Sequence, residues 1–540
     1  MTAVEPKQCA NQPAPLAGYD LFSENRPLVE ALTREGGAAE EARCAAFGRL
    51  CGGAPLELGR LANEHPPVLR THDRFGERID EVEFHPAWHE LLGLGVEHGV
   101  HSLPWREPQN SAHVTRAALF MTLAYAEAGV GCPLSMTYAA VPALRAAAPE
   151  LASEWEPLFA STRYDPGLRP LAEKRGALCG MAMTERQGGS DVRANETRAE
   201  PDGDAYLLTG HKWFCSAPMS DAFLVLAQAP DGLTCFLLPR VLEDGTRNGF
   251  RLERLKDKLG NRSNASAEIR LDEALAFRVG DEGRGIPTII EMVVHTRLDC
   301  VLGSTALMRR AVAEATHHAA HRSAFGRPLA EQPLMQNVLA DLCLDSEAAT
   351  ATAMRLARAF DKGDPGFRRL ATAVAKYWVC KATPALVAEA LECLGGNGYV
   401  EESGLPRLFR ESPLNSIWEG SGNVNCLDVL RALGREPESL EAFRAELDLA
   451  RDANNDLDDA LAVLEAELSD ADELESRARG LVERMALCLQ GSLLVRDAPA
   501  EVADAFCATR LGAQGGRAYG TLPRGVDAAV IVERHRPRVG

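Results

Sequence analysis

Basic residues are in deficit: 58 Lys plus Arg against 77 Asp plus Glu give a formal net charge of −19 over 540 residues. Generic attraction to phosphate backbones or anionic lipid is therefore opposed by the average field, and any nucleic-acid contact must be local. The 14 cysteines run from Cys9 to Cys507 without one Cys-x-x-Cys pair, which argues against a disulfide framework or a zinc ribbon and predicts a reducing, cytoplasmic setting. No stretch approaches the roughly 18 uninterrupted apolar residues of a membrane span. The start, Met1-Thr2-Ala3-Val4-Glu5-Pro6, has no basic region leading into an apolar one, so a soluble, untargeted chain with no membrane partner is expected. Gly-x-x-x-x-Gly-Lys-Ser/Thr is missing, which excludes a P-loop. His85 with His89, and His317 with His321, have the spacing of a helical metal pair, but Pro86 interrupts the first and neither has an evident third ligand; no metal is expected.

What is present is ordinary globular usage, 46% hydrophobic and 25% charged, at a length that predicts roughly three to four domains. Residues 1–55 mix turn formers with short helical pieces and read as an arm that packs on something else, an oligomer contact. Residues 56–176 carry apolar positions at helical spacing, such as Val114, Ala117, Ala118 and Met121, and read as an all-helical block. From 177 to 285 the texture changes to short runs bounded by Gly, Asp or Pro, among them Tyr206 to Trp213, Ala222 to Ala227 and Leu233 to Pro239, which suit strands. Helical periodicity returns over 286–433. A helical extension, 434–540, follows. The expected class is α+β, mainly helical, in the order helical domain, β domain, helical bundle, helical extension.

Four segments carry chemistry. Met183-Thr184-Glu185-Arg186-Gln187-Gly188-Gly189-Ser190-Asp191-Val192 offers small hydroxyls and approachable backbone amides, and reads either as a ligand loop or as a Gly-Gly turn. Trp213-Phe214-Cys215-Ser216 places aromatics beside a small polar residue in a strand, which alone suits core packing. Glu392-Cys393-Leu394-Gly395-Gly396-Asn397-Gly398-Tyr399, continuing through Glu402 and Arg407 to Glu411, is alone only a helix stop with a loop. Ile417-Trp418-Glu419-Gly420-Ser421-Gly422-Asn423 sets a glutamate between a Trp and a Gly-Ser-Gly turn, where burial raises a carboxyl toward general-base values; the plainer reading is an acid at a helix N-terminus.

Together, in this order and spacing, these segments resemble the acyl-CoA dehydrogenase family. The resemblance implies a helical domain, a central β barrel and a helical bundle, with FAD at the junction of barrel and bundle. It implies that a glutamate, here Glu419, removes the α-proton of an acyl-CoA thioester while the β-hydrogen leaves as hydride to the flavin. Some branches carry the base just before an arginine that matches Arg297; here that position is Thr296, which cannot serve. By the same comparison Met181, Met183, Thr184, Gly189, Ser190, Phe214, Cys215, Ser216, Ile417, Trp418, Gly420, Ser421, Gly422, Asn423 and Leu427 line the flavin, with Trp213 packed nearby. Arg322-Ser323-Ala324-Phe325-Gly326 resembles the segment that meets the adenosine-diphosphate end of FAD across a subunit interface, which implies roles for Arg322, Phe325, Gln332, Gly395 and Gly396. Two departures stand out. Asn425-Cys426 replaces the usual Gln-Arg, and Pro333 stands where a glutamine is expected, with Gln332 beside it.

Those departures, with Glu57 to Asn63, Phe84 to His89 and Arg254 to Ser266, resemble the AidB branch, flavoproteins of the response to DNA alkylation. That branch implies a homotetramer, FAD, a C-terminal domain that contacts double-stranded DNA, weak acyl-CoA dehydrogenase activity, and protection of DNA from alkylating agents or their deactivation. Residues 431–540 hold 14 Arg and no Lys against 21 acidic residues, so the extension is acidic overall. Arginines such as Arg431, Arg510 and Arg517 are nevertheless candidates for one phosphate-binding face. The alternatives are a metabolic acyl-CoA dehydrogenase whose extension only builds the oligomer, and a non-catalytic flavin scaffold that shields DNA.

Overall fold

The structure, a computed structural model, describes residues 11–539; Cys9 and the beginning of the expected arm lie outside that range. From residue 16 the arm is anchored by buried Leu16, Tyr19, Leu21 and Phe22, and the Tyr19 and Tyr125 hydroxyls meet at 2.5 Å. The helices that follow include Ala112–Ala126 and Gly131–Ala147, buried almost all round, as helices at the centre of a large protein must be. Inside the block expected to be all-helical lies a β hairpin, β1 (Val68–His72) antiparallel to β2 (Arg78–Glu83). Asp73 closes its turn by accepting from the amides of Phe75 and Glu77, and Arg78 donates to Leu252 O at 3.0 Å, seating the hairpin on the barrel.

The barrel is built from β3 (Cys179–Ala182), β4 (Arg198–Asp202), β5 (Ala205–Ser216), β6 (Ala222–Ala229), β7 (Gly232–Pro239), β8 (Phe250–Leu255) and β9 (Ser266–Val279). β6 pairs with β4, β4 with β5, β5 with β9, β9 with β7 and β7 with β6 again, so the sheet closes on itself; β3 and β8 join at the rims. The near-continuous apolar text of β6 and β7 follows from burial on both faces. Phe223, Val225, Phe236 and Leu238 fill the barrel with Cys215 and Leu252, while Leu224, Leu226, Cys235 and Leu237 pack outward against Tyr138, Leu144 and Phe159 of the helices.

The bundle's long members are Gly285–His321, Pro333–Lys362 and Pro365–Cys393. The turn between the last two is written locally. Gly363 takes the left-handed conformation that ends a helix, the Asp364 side chain accepts from Phe367 N, and Pro365 opens the next helix where no amide is needed. Arg116 and Asp299, both buried, form a two-pronged ion pair at 2.6 and 2.7 Å that ties the N-terminal helices to the bundle. The extension does not stand apart: Leu461, Leu481, Leu489, Phe506 and Ile531 belong to the same apolar core as the bundle. All thirteen cysteines among the described residues are buried free thiols, and no described helix is long and apolar enough to cross a membrane.

Candidate active site

The fourth segment of the sequence forms the loop between the turn Leu414–Ser416 and the helix Gly422–Arg435. Glu419 stands there at φ +57°, followed by Gly420 at +99°. A side chain rarely tolerates that region unless its surroundings fix it, and here they do. Lys376, 1% exposed, donates to Trp418 O at 2.8 Å and to Gly420 O. Arg297 donates through Nε to Glu419 O at 3.0 Å, and its other arm is held by Asp428 at 2.6 Å. Asn425 donates to Gly420 O at 2.6 Å and Ser421 O at 3.0 Å. Three side chains thus hold the carbonyls around one glutamate.

The Glu419 carboxyl lines a cavity of about 50 Å³ with Cys132, Met136, Thr296, Cys300 and Trp418. Thr296 Oγ1 donates to Glu419 Oε2 at 2.8 Å; no hydrogen bond among the described residues engages Oε1. Burial pushes the carboxyl above the ordinary carboxylate range, held back by the Thr296 hydrogen bond and the charges of Lys376 and Arg297. Such a carboxylate is a better proton acceptor than a solvated one. Thr296, dismissed as a base from sequence, is the hydrogen-bond partner of Glu419. Lys376 gave no sequence signal, since a lysine in a long helix reads as a solvated face.

The barrel-side residues gather beside this loop. Trp213 N donates to Thr184 O at 2.9 Å, joining the first two segments, and Met181, Met183 and Trp418 pack on one apolar cluster. Alternation along β5 leaves Phe214 exposed and turns Cys215 into the barrel. Cys215, expected with Phe214 and Ser216 to line the flavin, thus has its side chain in the barrel, and only its backbone remains to face outward. Ser216 lies 3.4 Å from Ser266, and the Trp213 ring is covered by Lys256 Nζ at 3.5 Å. Phe214, Ile417 and Leu427 are 55%, 61% and 41% exposed, large apolar surfaces that require a cover. No hydrogen bond among the described residues involves the hydroxyls of Thr184 or Ser190. Apolar surface flanked by free hydroxyls and the amide of Gly189, which has no acceptor among the described residues, suits a flat ring edged with carbonyls; the Gly188 amide is taken by Glu185 O at 3.1 Å. Gly189 itself has no room for a side chain, because a Cβ there collides with Thr184 Oγ1.

The third group sits elsewhere on the chain. Arg322 follows the Gly285–His321 helix, its guanidinium donating to Asn11 O. Phe325, at φ +52°, is 97% exposed at the tip of a two-residue hairpin, Gln332 braces that hairpin through Ala324 O at 2.9 Å, and a Cβ at Gly395 or Gly396 meets no atom within 4 Å. No hydrogen bond or ion pair joins these residues to the Glu419 loop or to Thr184 within the described chain.

Of the three arginines expected at DNA, Arg510 is held inside the fold by Asp341 at 2.6 Å and Asp345 at 3.0 Å. It is a structural ion pair, and its expected contact with DNA is corrected. Arg431 is exposed and touches Asp428 at 3.3 Å; Arg517 is exposed.

Comparison with known proteins agrees with this geometry. Residues 11–166 match the adaptive response protein AidB N-terminal domain, 180–274 the acyl-CoA dehydrogenase middle domain and 283–434 its C-terminal domain. The chain is 47% identical over 515 residues to the AidB protein of Escherichia coli (strain K12), named "Putative acyl-CoA dehydrogenase AidB", covering 94% of each. It belongs to the acyl-CoA dehydrogenase family, in the AidB branch. Members of that family are FAD-dependent oxidoreductases. Acyl-CoA dehydrogenase family member 11 of Caenorhabditis elegans is 34% identical over 72% of this chain and 65% of its own. The solved structure of C. elegans ACDH-11 in complex with C11-CoA superimposes with a TM-score of 0.85 at 29% identity, covering 93% of both chains. Butyryl-CoA dehydrogenase of Megasphaera elsdenii, at 22% identity and TM-score 0.58, covers 77% of this chain and 100% of its own and shares the fold.

Proposed function

We propose that the chain dehydrogenates an acyl-CoA thioester at the α and β carbons, with Glu419 as the base. The observation that carries this reading is the Glu419 carboxyl, desolvated, fixed by its backbone and lining a cavity with Cys132, Met136, Thr296, Cys300 and Trp418. Thr296 holds Oε2, which leaves Oε1 to take the α-proton. Trp418 and the barrel wall exclude water from the reacting carbons. FAD, when bound, would supply the acceptor to which the β-hydrogen leaves as hydride. Met181, Met183, Thr184, Gly189, Ser190, Phe214, Ser216, the loop Ile417 to Asn423 and Leu427 hold the isoalloxazine. Arg322, Phe325, Gln332, Gly395 and Gly396 serve the FAD of a second copy, which accounts for the bare Phe325 and makes a homotetramer the expected assembly. The test is anaerobic mixing with acyl-CoA thioesters of graded length: bleaching of the flavin band is expected for at least one, and no bleaching with any of them would overturn the reading. Acyl-CoA binding by the C. elegans neighbour supports the substrate class.

Gly189 supplies a direct check on the cofactor site. Gly189→Ala is expected to displace Thr184 and weaken FAD retention by about 1–3 kcal/mol, roughly 5- to 150-fold in affinity. The ratio of flavin to protein absorbance after gel filtration measures it, and unchanged retention would remove Thr184 and Gly189 from the site.

The likeness to AidB along nearly the whole chain favours a second reading, in which the extension binds double-stranded DNA and the protein shields it from alkylation or deactivates the agent with its flavin. Arg431 and Arg517, on the surface, are the phosphate ligands of this reading. Anisotropy of labelled duplex is expected to rise with protein and to fall with salt, with a log–log slope of about −2 for two phosphate contacts. Absence of binding at low salt would leave the dehydrogenase reading alone.

A further inference from the structure

The loop between β8 and β9 folds against Pro66 and Pro67 below the N-terminal hairpin and encloses a cavity of about 90 Å³. Its wall carries three cations, Lys256, Lys258 and Arg262, against one carboxylate, Asp257. Lys256 is neutralised by Glu268 at 2.6 Å. Lys258 is not: its ammonium donates to Asn264 O at 2.8 Å and Ser266 Oγ at 3.1 Å, and no carboxylate reaches it within 4 Å among the described residues. Burial pushes its pKa down to about 8, against the pull of Cys132 and Glu411, neither of which forms an ion pair with it. Arg262 donates through Nε to Lys258 O at 3.2 Å and forms no ion pair among the described residues. Asn264 lines the same wall, 1% exposed, and neither atom of its side-chain amide has a hydrogen-bond partner among the described residues. A buried amide without a partner is costly unless a ligand or water completes it.

We propose that this cavity binds a phosphate or phosphoryl group, held by Lys258 and Arg262 with the Asn264 amide nitrogen as a neutral donor. The anion gives Lys258 a counter-charge in direct contact and meets the fork of Arg262 with paired oxygens. Asn264 Oδ1 accepts from the protonated oxygen of a monohydrogen phosphate. The volume suits the assignment: on this measure a water needs about 10–15 Å³, so the cavity admits a tetrahedral oxyanion. Beside Pro66 and Arg262 it adjoins a cleft of about 1020 Å³, which leaves room for the body of a larger phosphorylated molecule. The source is therefore either free phosphate or the phosphates of a nucleotide-bearing ligand.

Calorimetric titration of the FAD-loaded full-length protein with inorganic phosphate, in a phosphate-free buffer, tests the site. One saturable event is expected, weakened about ten-fold or more in Lys258→Met and in Arg262→Ala. Arg262 is exposed, so its variant keeps the test valid should Lys258→Met fold poorly. No saturable event, or affinities equal to wild type in a folded variant, would overturn the proposal. Repeating the titration with coenzyme A present separates the sources: loss of the phosphate event identifies the ligand's own phosphates, and its persistence identifies free phosphate.

Discussion

Glu419→Gln is expected to slow flavin reduction by acyl-CoA about 10²–10⁴-fold, the range for losing a general base, while the melting temperature at neutral pH stays level or rises. The two halves of this outcome come from one cause. Desolvation raises the folded-state pKa of the carboxyl above its unfolded value, so the charged form is favoured more in the unfolded chain than in the folded one. Above the unfolded pKa the carboxylate therefore opposes folding. The penalty is absent at acid pH, grows as pH rises between the unfolded and the raised folded pKa, and is full above the latter. Glutamine keeps the shape, accepts from Thr296 through its carbonyl oxygen, and carries no charge to bury. Wild-type kcat/KM should fall on the acid side with a midpoint above the usual carboxylate range, a limb that the residual activity of the variant lacks. Stopped-flow bleaching and thermal unfolding across pH read both parts. A variant that reduces flavin at the wild-type rate would remove Glu419 from catalysis.

How far sequence reaches into such a site depends on the range of the interaction. The segments around Thr184, Phe214 and Glu419 are legible because each is a local pattern of small, aromatic and acidic residues, and one backbone bond from Trp213 to Thr184 is enough to unite the first two. The inward turn of the Cys215 side chain is hidden within an otherwise informative run because strand alternation, which sets it opposite Phe214, is a property of β5 and not of residue type. The hairpin Val68 to Glu83 escapes for the opposite reason: β2 is rich in charge and neither strand has the apolar alternation by which a half-buried strand is recognised. Arg510 looked free because its partners, Asp341 and Asp345, lie on a helix far back in the chain, one turn apart. The same distance hid Lys376, whose carbonyl partners at Trp418 and Gly420 lie on a loop beyond the next helix.

Lys376→Met should therefore be destabilising and should also move the titration of a group it never touches through a side-chain bond. Trp418 O loses its charged donor and Gly420 O keeps only Asn425. Two charge-assisted hydrogen bonds from a buried ammonium correspond to about 3 kcal/mol or more, and methionine fills the space without replacing either. The backbone of Glu419, at φ +57°, is then fixed by Arg297 and Asn425 alone, and the strain it carries has a route to relax. Electrostatics acts separately. Lys376 is one of the charges that hold the Glu419 carboxyl down, so its removal lets the pKa climb further. The acid limb of kcat/KM should move to higher pH, and the rate at the plateau should fall as the carboxylate leaves its productive position. A lower melting temperature with an unmoved acid limb would reduce Lys376 to a structural prop. An upward shift of the limb with loss of plateau rate would make it the residue that positions and tunes the base.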